Sequence, residues 1–580
     1  MICLVRPPAA ESFRFATTNI SLPLGLAYVA GALEASGRSV SVFDAVAEGP
    51  TRRTRYIKGF LVGLSLDELA ERIPADADWV GISVIFTHEW PAVVRLVELI
   101  KARHPRIPVV LGGEHVTSLP EFCLLSSRAD IVVMGEGEET VVELSEALEA
   151  GRPLTDIGGL GYRDGERVVI NPRRTRRRDV DSIPLPAWHC FDVQTYHQHR
   201  FVGGMYSPSM TIPMLATRGC PYQCTYCSSP NMWTPLWMPR DPVKVVDEIE
   251  HYVQTYGARN FPFQDLTAII KKEWIVEFCT ELLRRDLKIT WQLPTGTRSE
   301  AIDAEVSNLL WRSGMISMAY APESGSDTTR KLIKKKVEAP KLFDSIRAAV
   351  AANLNVTVFA VIGFPHDTPE QLAENLPFID NLVESGVTDF SVGYYMALPG
   401  TELFHYLYDK GEIVLDRRYF SQTLQALALV PARSFCHALN SAQLIAWKVR
   451  LLGRFYQRRG RAADGVGFAT SLRRAISGFK SGEHTTKLET AFRNGLTSAV
   501  DTFKAQFGKG WMTRREERAL FHTWDATYRH IRSQKLKAGA TKAAPTDSTE
   551  LHRVNVATAL RREHETPSVM SAFAGTAEAH

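Results

Sequence analysis

The sequence lacks the features that indicate a membrane protein or a secreted, disulfide-rich protein. It has no run of about 18 apolar residues, the length that predicts a membrane-spanning helix. Residues 1–8 do not show the charged and apolar pattern of a signal peptide. Only 8 cysteines occur in 580 residues, and they are not spaced as a secreted disulfide framework. We therefore expect a protein of the reducing cytoplasm without a membrane span.

A strong charge of either sign is also missing. Lys and Arg number 68, Asp and Glu number 64, and the net charge is +4. So small a net charge by itself argues neither for nor against nucleic-acid binding. We expect no nucleic-acid partner. The basic run at 173–178 is interpreted as a solvated linker, with an anionic-ligand patch as the alternative. With 45% hydrophobic and 23% charged residues, the chain can bury large cores, and its length suggests three or four domains.

Three of the few cysteines stand within eight residues, as Cys220, Cys224 and Cys227, with no fourth cysteine nearby. Three thiolates on one tight loop can hold three irons of a cubane cluster and leave the fourth iron open. An open metal position is typical of catalytic sites. The alternatives are a structural zinc site, which usually needs four ligands in paired C-x2-C motifs, and buried unpaired cysteines, which need no clustering. We favour the iron–sulfur cluster.

The C-x3-C-x2-C spacing, the aromatic Tyr226 before the third cysteine and the expected strand Met210–Ala216 leading into the loop resemble the radical S-adenosylmethionine (SAM) superfamily. In that superfamily the open iron of a [4Fe-4S] cluster binds the amino and carboxylate groups of SAM. An electron then cleaves SAM to a 5'-deoxyadenosyl radical, which abstracts a hydrogen atom. The resemblance thus implies a [4Fe-4S] cluster, SAM and an electron donor such as flavodoxin or ferredoxin.

Before this loop, residues 1–150 alternate short apolar runs with amphipathic stretches. This alternation predicts βαβ units and an α/β fold with a doubly wound, Rossmann-like parallel sheet, whose ligands bind at the carboxyl ends of the strands. Three loops at those ends, 85–89, 112–115 and 135–138, are candidates, and glycines in two of them allow a ligand to approach the backbone closely. The expected strands are Ile2–Val5, Ser39–Phe43, Trp79–Val84, Val109–Leu111 and Ile131–Met134, and the expected helices are Leu24–Ser36, Glu89–Ala102 and Glu139–Ala150.

This region resembles the cobalamin-binding domain of class B radical SAM enzymes. The matching segments are Pro23–Tyr28, the Gly112-Gly113 pair and the Gly-Glu-Gly-Glu run at 135–138. The resemblance implies cobalamin as a further cofactor. It also implies that several residues of these loops line the corrin, and the candidates are Gly112, Gly113, Glu114, Gly135 and Gly137.

One family motif is absent. The D-x-H-x-x-G motif, whose histidine ligates cobalt in other cobalamin proteins, is missing, because Gly113 stands where His115 would need an aspartate. Many class B members also lack it and bind cobalamin without a histidine ligand. His88 and His115 remain alternatives as cobalt ligands, although a lone histidine is more often a structural residue.

The rest of the chain divides into a connector, a second α/β unit and a helical end. Residues 151–205 form the connector, with a hairpin at Leu160–Ile170 turning at Asp164-Gly165 and a proline-rich stretch at Asp181–Trp188. Residues 206–435 repeat strand and helix six times and predict a partial (β/α)6 barrel. After Met210–Ala216, the expected strands are Asn260–Asp265, Ile289–Leu293, Ile316–Tyr320, Val356–Ile362 and Phe390–Tyr395. Asp241 and Pro242 are expected to begin a helix that runs to Tyr256.

Polar residues follow the expected barrel strands, where active residues of such barrels lie. The candidates for contact with SAM are Asp265, Arg298, Glu323 and Ser324, since SAM carries an ammonium, a ribose diol and a carboxylate that suits an arginine fork. The resemblance implies that Glu323 and Ser324 contact the ribose or carboxylate and that Arg298 lies close by. The alternative is that Asp265 and Glu323 cap helices. Cys436, which follows the barrel, is a candidate donor of a hydrogen atom in the active site. The alternative is that Cys436 is a packing residue.

Residues 436–535 are predicted to be helical, at Leu444–Tyr456, Leu472–Gly478, Ala491–Phe507 and Arg515–Ile531. We favour an accessory domain that covers the barrel over a membrane-surface role, and we expect residues 536–580 to be disordered. The resemblance implies a cobalamin-dependent radical SAM methyltransferase that adds a methyl group to an unactivated carbon of a small molecule, such as a specialised metabolite. The alternatives are a cobalamin-dependent cyclase or ring-contracting oxidoreductase, and a non-enzymatic sensor.

Overall fold

The structure is a computed structural model that describes residues 1–12, 20–426, 428, 431, 433–461 and 510–541. Within these residues an N-terminal α/β domain packs against a partial barrel, and helices near the C-terminus contact both. None of the described helices combines the length and the apolar character needed to cross a membrane.

The N-terminal domain is built on a mostly parallel sheet with the strand order β10-β9-β8-β7-β6-β1-β3. Helices cover its two faces, and 3-10 turns occupy Thr87–Glu89, Val180–Ser182 and Trp188–Cys190. The elements are β1 (Ile2–Arg6), β2 (Ala9–Glu11), α1 (Leu24–Ala35), β3 (Val40–Asp44), α2 (Ala45–Glu48), β4 (Arg53–Tyr56), β5 (Gly59–Val62), α3 (Leu66–Glu71), β6 (Val80–Ser83), α4 (Trp90–Arg103), β7 (Val109–Gly112), α5 (Glu114–Ser118), α6 (Pro120–Leu125), β8 (Ile131–Val133), α7 (Glu138–Ala150), β9 (Leu160–Asp164) and β10 (Arg167–Ile170).

The predicted doubly wound sheet is confirmed: its five parallel strands, β1, β3, β6, β7 and β8, agree with the sequence-based bounds to within one or two residues. The predicted hairpin is also present, as β9 and β10. It joins the same sheet, because β9 pairs antiparallel with β8. A small sheet, β2-β5-β4, was not predicted. Its strands have only three or four residues, and such short runs show no clear alternation.

The second unit contains five parallel strands in the order β13-β14-β15-β16-β17. The segment before the cysteines lies beside β13 through bridges at residues 211 and 214, so the expected first strand is present only as isolated bridges. The elements are α8 (Val193–Gln198), β11 (Thr217–Arg218), α9 (Ser229–Trp233), β12 (Met238–Pro239), α10 (Pro242–Tyr256), β13 (Asn260–Pro262), α11 (Lys272–Arg285), β14 (Thr290–Thr297), α12 (Ala304–Arg312), β15 (Met315–Glu323), α13 (Asp327–Leu332), α14 (Ala339–Ala351), β16 (Asn355–Ile362), α15 (Pro369–Ala373), α16 (Asn375–Glu384) and β17 (Asp389–Tyr394).

The helix predicted from Asp241 is confirmed. The Asp241 carboxylate accepts hydrogen bonds from the backbone N–H groups of Val243 and Lys244, which have no partners inside a first helical turn. Pro242 occupies the first position of α10, where its missing N–H removes no helical bond. The helix ends at Tyr256, followed by Gly257 in the left-handed region, with φ of 64°.

The C-terminal elements are α17 (Glu402–Asp409), α18 (Arg417–Leu424), α19 (Ser441–Arg459) and α20 (Arg514–Thr541). Helix α20 inserts Trp524 and Tyr528 against Phe122 of the N-terminal domain and Phe404 of α17. Its apolar face is thus buried against the protein, as expected for a covering helix rather than a membrane-surface helix. Residues 536–541, which were expected to be disordered, are helical, because α20 continues to Thr541. The helices predicted at 472–478 and 491–507 and residues 542–580 lie outside the described residues.

Candidate functional site

The loop that carries the three cysteines begins directly after β11 and is held by backbone hydrogen bonds to two distant segments. The Thr225 N–H donates to the Ile333 carbonyl over 3.1 Å, and the Thr225 carbonyl accepts from the Leu403 N–H over 3.0 Å. The Cys224 Sγ lies 3.9 Å from the Lys334 carbonyl. These contacts place the cysteine loop beside the end of α13, the helix that follows β15, and the start of α17.

The spacing of the three thiols bears on which metal they suit. Among the described residues, the trio of possible ligand atoms that all lie within 4.8 Å of one another is Glu34, His189 and Cys190, so the three loop sulfurs are not all that close to one another. Ligands of one tetrahedral zinc lie only about 3.8 Å apart, because a Zn–S bond is about 2.3 Å. The three loop thiols are therefore not gathered as the ligands of a single zinc ion would be.

Burial affects how these thiols ionise. It raises the pKa of Cys227 to about 12. Burial also raises the pKa of Cys224, while Lys335 opposes that change. A thiolate in such a place loses its hydration, so it forms readily only when iron takes the place of the proton.

A buried charged group lies directly against the cysteine loop. Glu323 ends β15 with φ of 67°, in the left-handed region that non-glycine residues seldom adopt. Its Oε1 accepts hydrogen bonds from the Tyr226 hydroxyl over 2.8 Å and from the Lys335 Nζ over 3.2 Å. Burial alone would lower the pKa of Lys335, but the Glu323 carboxylate and the Cys224 thiolate together raise it. The end of β15 therefore offers a carboxylate and an ammonium close to the cysteines.

Two further candidates lie on the same edge of the barrel. The Arg298 guanidinium stands 4.1 Å above the ring of Tyr222, which is in the cysteine loop, and it donates to the Lys336 carbonyl. Its buried Nε has no hydrogen-bond partner among the described residues. Ser324 is buried, and its Oγ accepts from the Ser326 N–H over 3.1 Å. Arg298 therefore keeps one buried donor available beside the loop.

The fourth candidate of the barrel, Asp265, is engaged within the protein. Its carboxylate accepts hydrogen bonds from the N–H groups of Ala216 and Thr217 and from the Thr217 hydroxyl, over 2.5–3.1 Å. Burial raises its pKa to about 6, against the effect of these bonds. The structure thus places Asp265 behind the strand that enters the cysteine loop, where it caps no helix.

The glycine loops of the N-terminal domain face this same region. Gly113 has φ of 118°, and a Cβ there would lie 2.5 Å from the Val84 carbonyl oxygen, whereas a Cβ at Gly112 would make only an ordinary 3.9 Å contact with Val133. The Gly135 N–H donates to the Thr117 hydroxyl over 2.9 Å, and its Cβ position lies 3.8 Å from the Met232 carbonyl oxygen of α9. The edge that the sequence predicts for the corrin is therefore next to the helix that follows the cysteines.

Glu114 lies at the same edge, on the first turn of α5. Burial raises its pKa to about 7, opposed by Ser228 and Arg173. Its Oε1 is buried without a hydrogen-bond partner in the described part of the chain. Since Ser228 directly follows Cys227, Glu114 is a direct neighbour of the cysteine loop.

Both histidines that could ligate cobalt lie in packed surroundings. His115 is 1% exposed, its ring centre is 5.2 Å from that of Trp90, and burial lowers its pKa to about 3. Trp90 in turn contacts Trp524 of α20. His88 is 5% exposed and stacks on Phe86. This packing is what a structural histidine shows.

Cys436 is also engaged within the protein. Its thiol donates to the Asp367 carbonyl over 3.1 Å, and burial raises its pKa to about 11. Sequence reasoning missed Lys335, Arg218, Glu136 and Glu138 as functional candidates. Glu136 and Glu138 belong to the Gly-Glu-Gly-Glu run at 135–138, whose pattern points to its glycines rather than to its carboxylates. No local pattern singles out Lys335 or Arg218.

We predict that Gly113→Ala removes cobalamin binding. The new methyl group would stand 2.5 Å from the Val84 carbonyl oxygen on a backbone with φ of 118°, and such strain costs about 1–3 kcal/mol and displaces the loop. Gly453→Ala, in α19, is the matched control, since none of the described residues lies within 4 Å of its Cβ position. Absorbance of the cobalamin retained after gel filtration would measure the effect. Equal retention by both variants would contradict the role of this loop.

Comparison with known proteins agrees with this geometry. Residues 16–145 match the model of the B12 binding domain, and residues 214–400 match that of the radical SAM superfamily. The chain is 28% identical to the cytidylyl-2-hydroxyethylphosphonate methyltransferase of Streptomyces wedmorensis, over 74% of this chain and 86% of the relative. It is 28% identical to the anaerobic magnesium-protoporphyrin IX monomethyl ester cyclase of Rubrivivax gelatinosus, over 68% of each. The structure of the radical SAM methyltransferase TsrM from Kitasatospora setae has a similar fold, with a TM-score of 0.58 and 15% identity over 93% of this chain and 99% of that one.

Proposed function

This chain is a radical SAM enzyme with a cobalamin-binding domain, and we propose that it transfers a methyl group to an unactivated carbon of a small-molecule substrate. Its cofactors are a [4Fe-4S] cluster, SAM and cobalamin. The observation that carries the proposal is that the corrin edge of the first domain packs on the helix after the cysteines. The Asn231 amide donates to the Ser118 hydroxyl over 3.2 Å, and Arg173 donates to the Thr117 carbonyl over 3.0 Å and to the Asn231 carbonyl.

The residues present fit these groups. When bound, the cluster and SAM supply a 5'-deoxyadenosyl radical, and cobalamin supplies the methyl group. We assign the three cysteines to three irons, which leaves one iron open for SAM. Glu323 offers a carboxylate to the ribose hydroxyls or the ammonium of SAM, while Lys335 and Arg298 offer cations to its carboxylate. Gly112, Gly113 and Gly135 carry no side chains, so a flat macrocycle can approach the backbone closely.

The roles divide among the parts of the chain. We assign the corrin to residues 1–150, the connection to 151–205, the cluster and SAM to 206–435, and the cover of the barrel to the helices after residue 435, the last of which, α20, runs to Thr541. Three more residues complete the cofactor contacts that we propose: Gly137, Glu114 and Ser324. Asp265 acts indirectly, by holding the strand that precedes Cys220. We propose that a small redox protein such as flavodoxin or ferredoxin would supply the electron.

A second candidate function is a cyclisation or oxidation without methyl transfer. It is favoured by the similarity to the magnesium-protoporphyrin ester cyclase, which covers 68% of both chains. The same two cofactors would then hold a substrate from which hydrogen is removed, and no methyl group would be added.

We predict that the reconstituted protein retains cobalamin and transfers a methyl group derived from SAM. The protein would be reconstituted anaerobically with iron, sulfide and hydroxocobalamin, then supplied with a reductant, trideuteromethyl-SAM and a small-molecule extract of the host cell. A product heavier by one trideuteromethyl group would support methyl transfer, whereas an unlabelled product with lost hydrogens would support the cyclase. Protein with an intact cluster that retains no cobalamin would contradict our assignment of residues 1–150.

A further inference from the structure

One buried arginine joins the two loops that we assign to the two cofactors. Arg218 lies two residues before Cys220, and its side chain is 3% exposed. Its Nη1 donates to Glu136 Oε1 over 2.9 Å, and its Nη2 donates to Glu138 Oε1 over 2.7 Å. Both carboxylates belong to the 135–138 loop of the cobalamin-binding domain. A single guanidinium therefore bridges the corrin loop and the cysteine loop.

The bridge is enclosed by rings and by a second arginine. The Arg218 guanidinium stands 4.7 Å from the ring centre of Tyr28, on α1, and 5.9 Å from that of Trp233, on α9. Arg176, from the connector, donates to Glu136 Oε2 over 2.7 Å and to the carbonyl oxygen of Trp233 over 2.5 Å. Both oxygens of Glu136 are thus engaged, and little water reaches the ion pairs.

The segment with Arg218 is also held from the opposite side. Asp265 accepts hydrogen bonds from the backbone of Ala216 and from both the N–H and the hydroxyl of Thr217. Gly219, which follows, has φ of 91°, and a Cβ there would collide with the Leu236 carbonyl oxygen. The three residues before Gly219 are therefore anchored in the barrel by Asp265 and in the first domain by Arg218.

Energetics indicate what such a bridge contributes. A buried ion pair often adds little net stability relative to well-packed apolar residues, because both charges lose their hydration. Moving one loop away from the other would cost free energy, however, because it would leave a buried charge without its partner. Burial alone would raise the pKa of Glu138, but Arg218 outweighs it and lowers the pKa. The bridge therefore favours one relative position of the two loops more than it stabilises the fold.

We propose that Arg218 is a positioning residue, which together with Glu136 and Glu138 holds the corrin loop at one set distance from the iron–sulfur cluster. The inference rests on the proposed function, since it concerns how two cofactors meet at one substrate. Misplacement of reacting groups by about 1 Å can cost a hundredfold in rate, so a rigid link between the loops would matter for transfer between them.

The test uses full-length protein carrying both cofactors, partly reduced so that the cluster and Co(II) are both paramagnetic. Pulsed EPR then measures the distribution of cluster–cobalt distances. We expect one narrow distribution for the wild type and a broader one for Arg218→Met and for the Glu136→Gln/Glu138→Gln double variant, with iron and cobalamin contents unchanged. A distribution equally narrow in these variants would overturn the proposal.

Glu248→Gln is the matched control. It disrupts the buried Arg240–Glu248 pair inside the barrel, which does not join the two loops, so the distance distribution should stay narrow. If Arg218→Met loses its cofactors, Arg218→Lys keeps the charge but lacks the fork that spans two carboxylates, and broadening is again expected. An unchanged distribution in the lysine variant would then overturn the proposal.

A second measurement separates this inference from the proposed function. Hydrogen exchange in cobalamin-free protein should become roughly tenfold faster in segments 133–140 and 216–220 of Arg218→Met, since charged hydrogen bonds are lost, and should not change in β15 and β16. Unchanged exchange in the two segments would overturn the positioning role. Failure of the wild type to retain cobalamin would instead refute the proposed function and leave this readout intact.

Discussion

Replacing Cys224 by alanine is expected to abolish the iron–sulfur cluster and, with it, all SAM cleavage. Three thiolates are the smallest set that holds a cubane with one open iron, so two cannot retain it stably. Reconstituted wild-type protein should contain about four irons per chain, and the variant far fewer. Iron and sulfide analysis, the visible absorption of the cluster and the formation of 5'-deoxyadenosine would measure the effect.

Cys279→Ala provides the matched control for this result. Cys279 is also a free thiol, but it lies fully buried in α11, away from the loop. Its loss should leave iron content and SAM cleavage at the wild-type level. Both variants should still retain cobalamin, because the corrin loops belong to the other domain. A Cys224→Ala protein with a full complement of iron would show that the cluster is held elsewhere.

The second large effect is expected for Glu323→Gln, which should weaken SAM binding about ten- to a hundredfold while the iron content stays unchanged. A hydrogen bond to a charged group is worth about 1.5–3 kcal/mol, and the substitution also leaves the Lys335 ammonium buried without its carboxylate. The affinity for SAM, measured by equilibrium dialysis on reconstituted protein, would report the change. Glu338→Gln, which removes an exposed carboxylate paired with Lys341, should leave the affinity unaffected.

A double variant distinguishes two explanations for that loss. If Glu323 and Lys335 each contact SAM, Glu323→Gln combined with Lys335→Met should bind SAM more weakly than either single variant. If Glu323 acts only by holding the Lys335 ammonium in place, the double variant should bind SAM as weakly as Lys335→Met alone. Wild-type affinity in the single Glu323→Gln variant would contradict any role of this carboxylate in SAM binding.

Much of the fold could be predicted because its signals are local. The parallel strands of both sheets are short apolar runs, and the predicted bounds of the first sheet differ from the observed ones by one or two residues. The helix that begins after Asp241 depends on a side chain and two N–H groups within three residues. The three cysteines are likewise close in sequence, so their shared role as metal ligands could be predicted without knowledge of any tertiary contact.

The contacts that arrange the site could not be predicted in this way. Lys335 reaches Glu323 only because the chain turns back after β15, and nothing in the surrounding lysines distinguishes it. Arg218 meets Glu138 across 80 residues of sequence. Asp265, expected near SAM, instead bonds to the backbone before the cysteine loop, a contact with a segment almost 50 residues away.

The classes of domain, their order and the three cysteine ligands that we propose can all be inferred from the amino-acid sequence. They depend on periodicity, capping and spacing within a few residues. The folded structure was needed to show which charges lie beside the cysteine loop and that Arg218 bridges the two domains. Burial and ion pairing depend on surfaces brought together from distant parts of the chain, because an isolated segment is surrounded by water, in which such charges interact weakly.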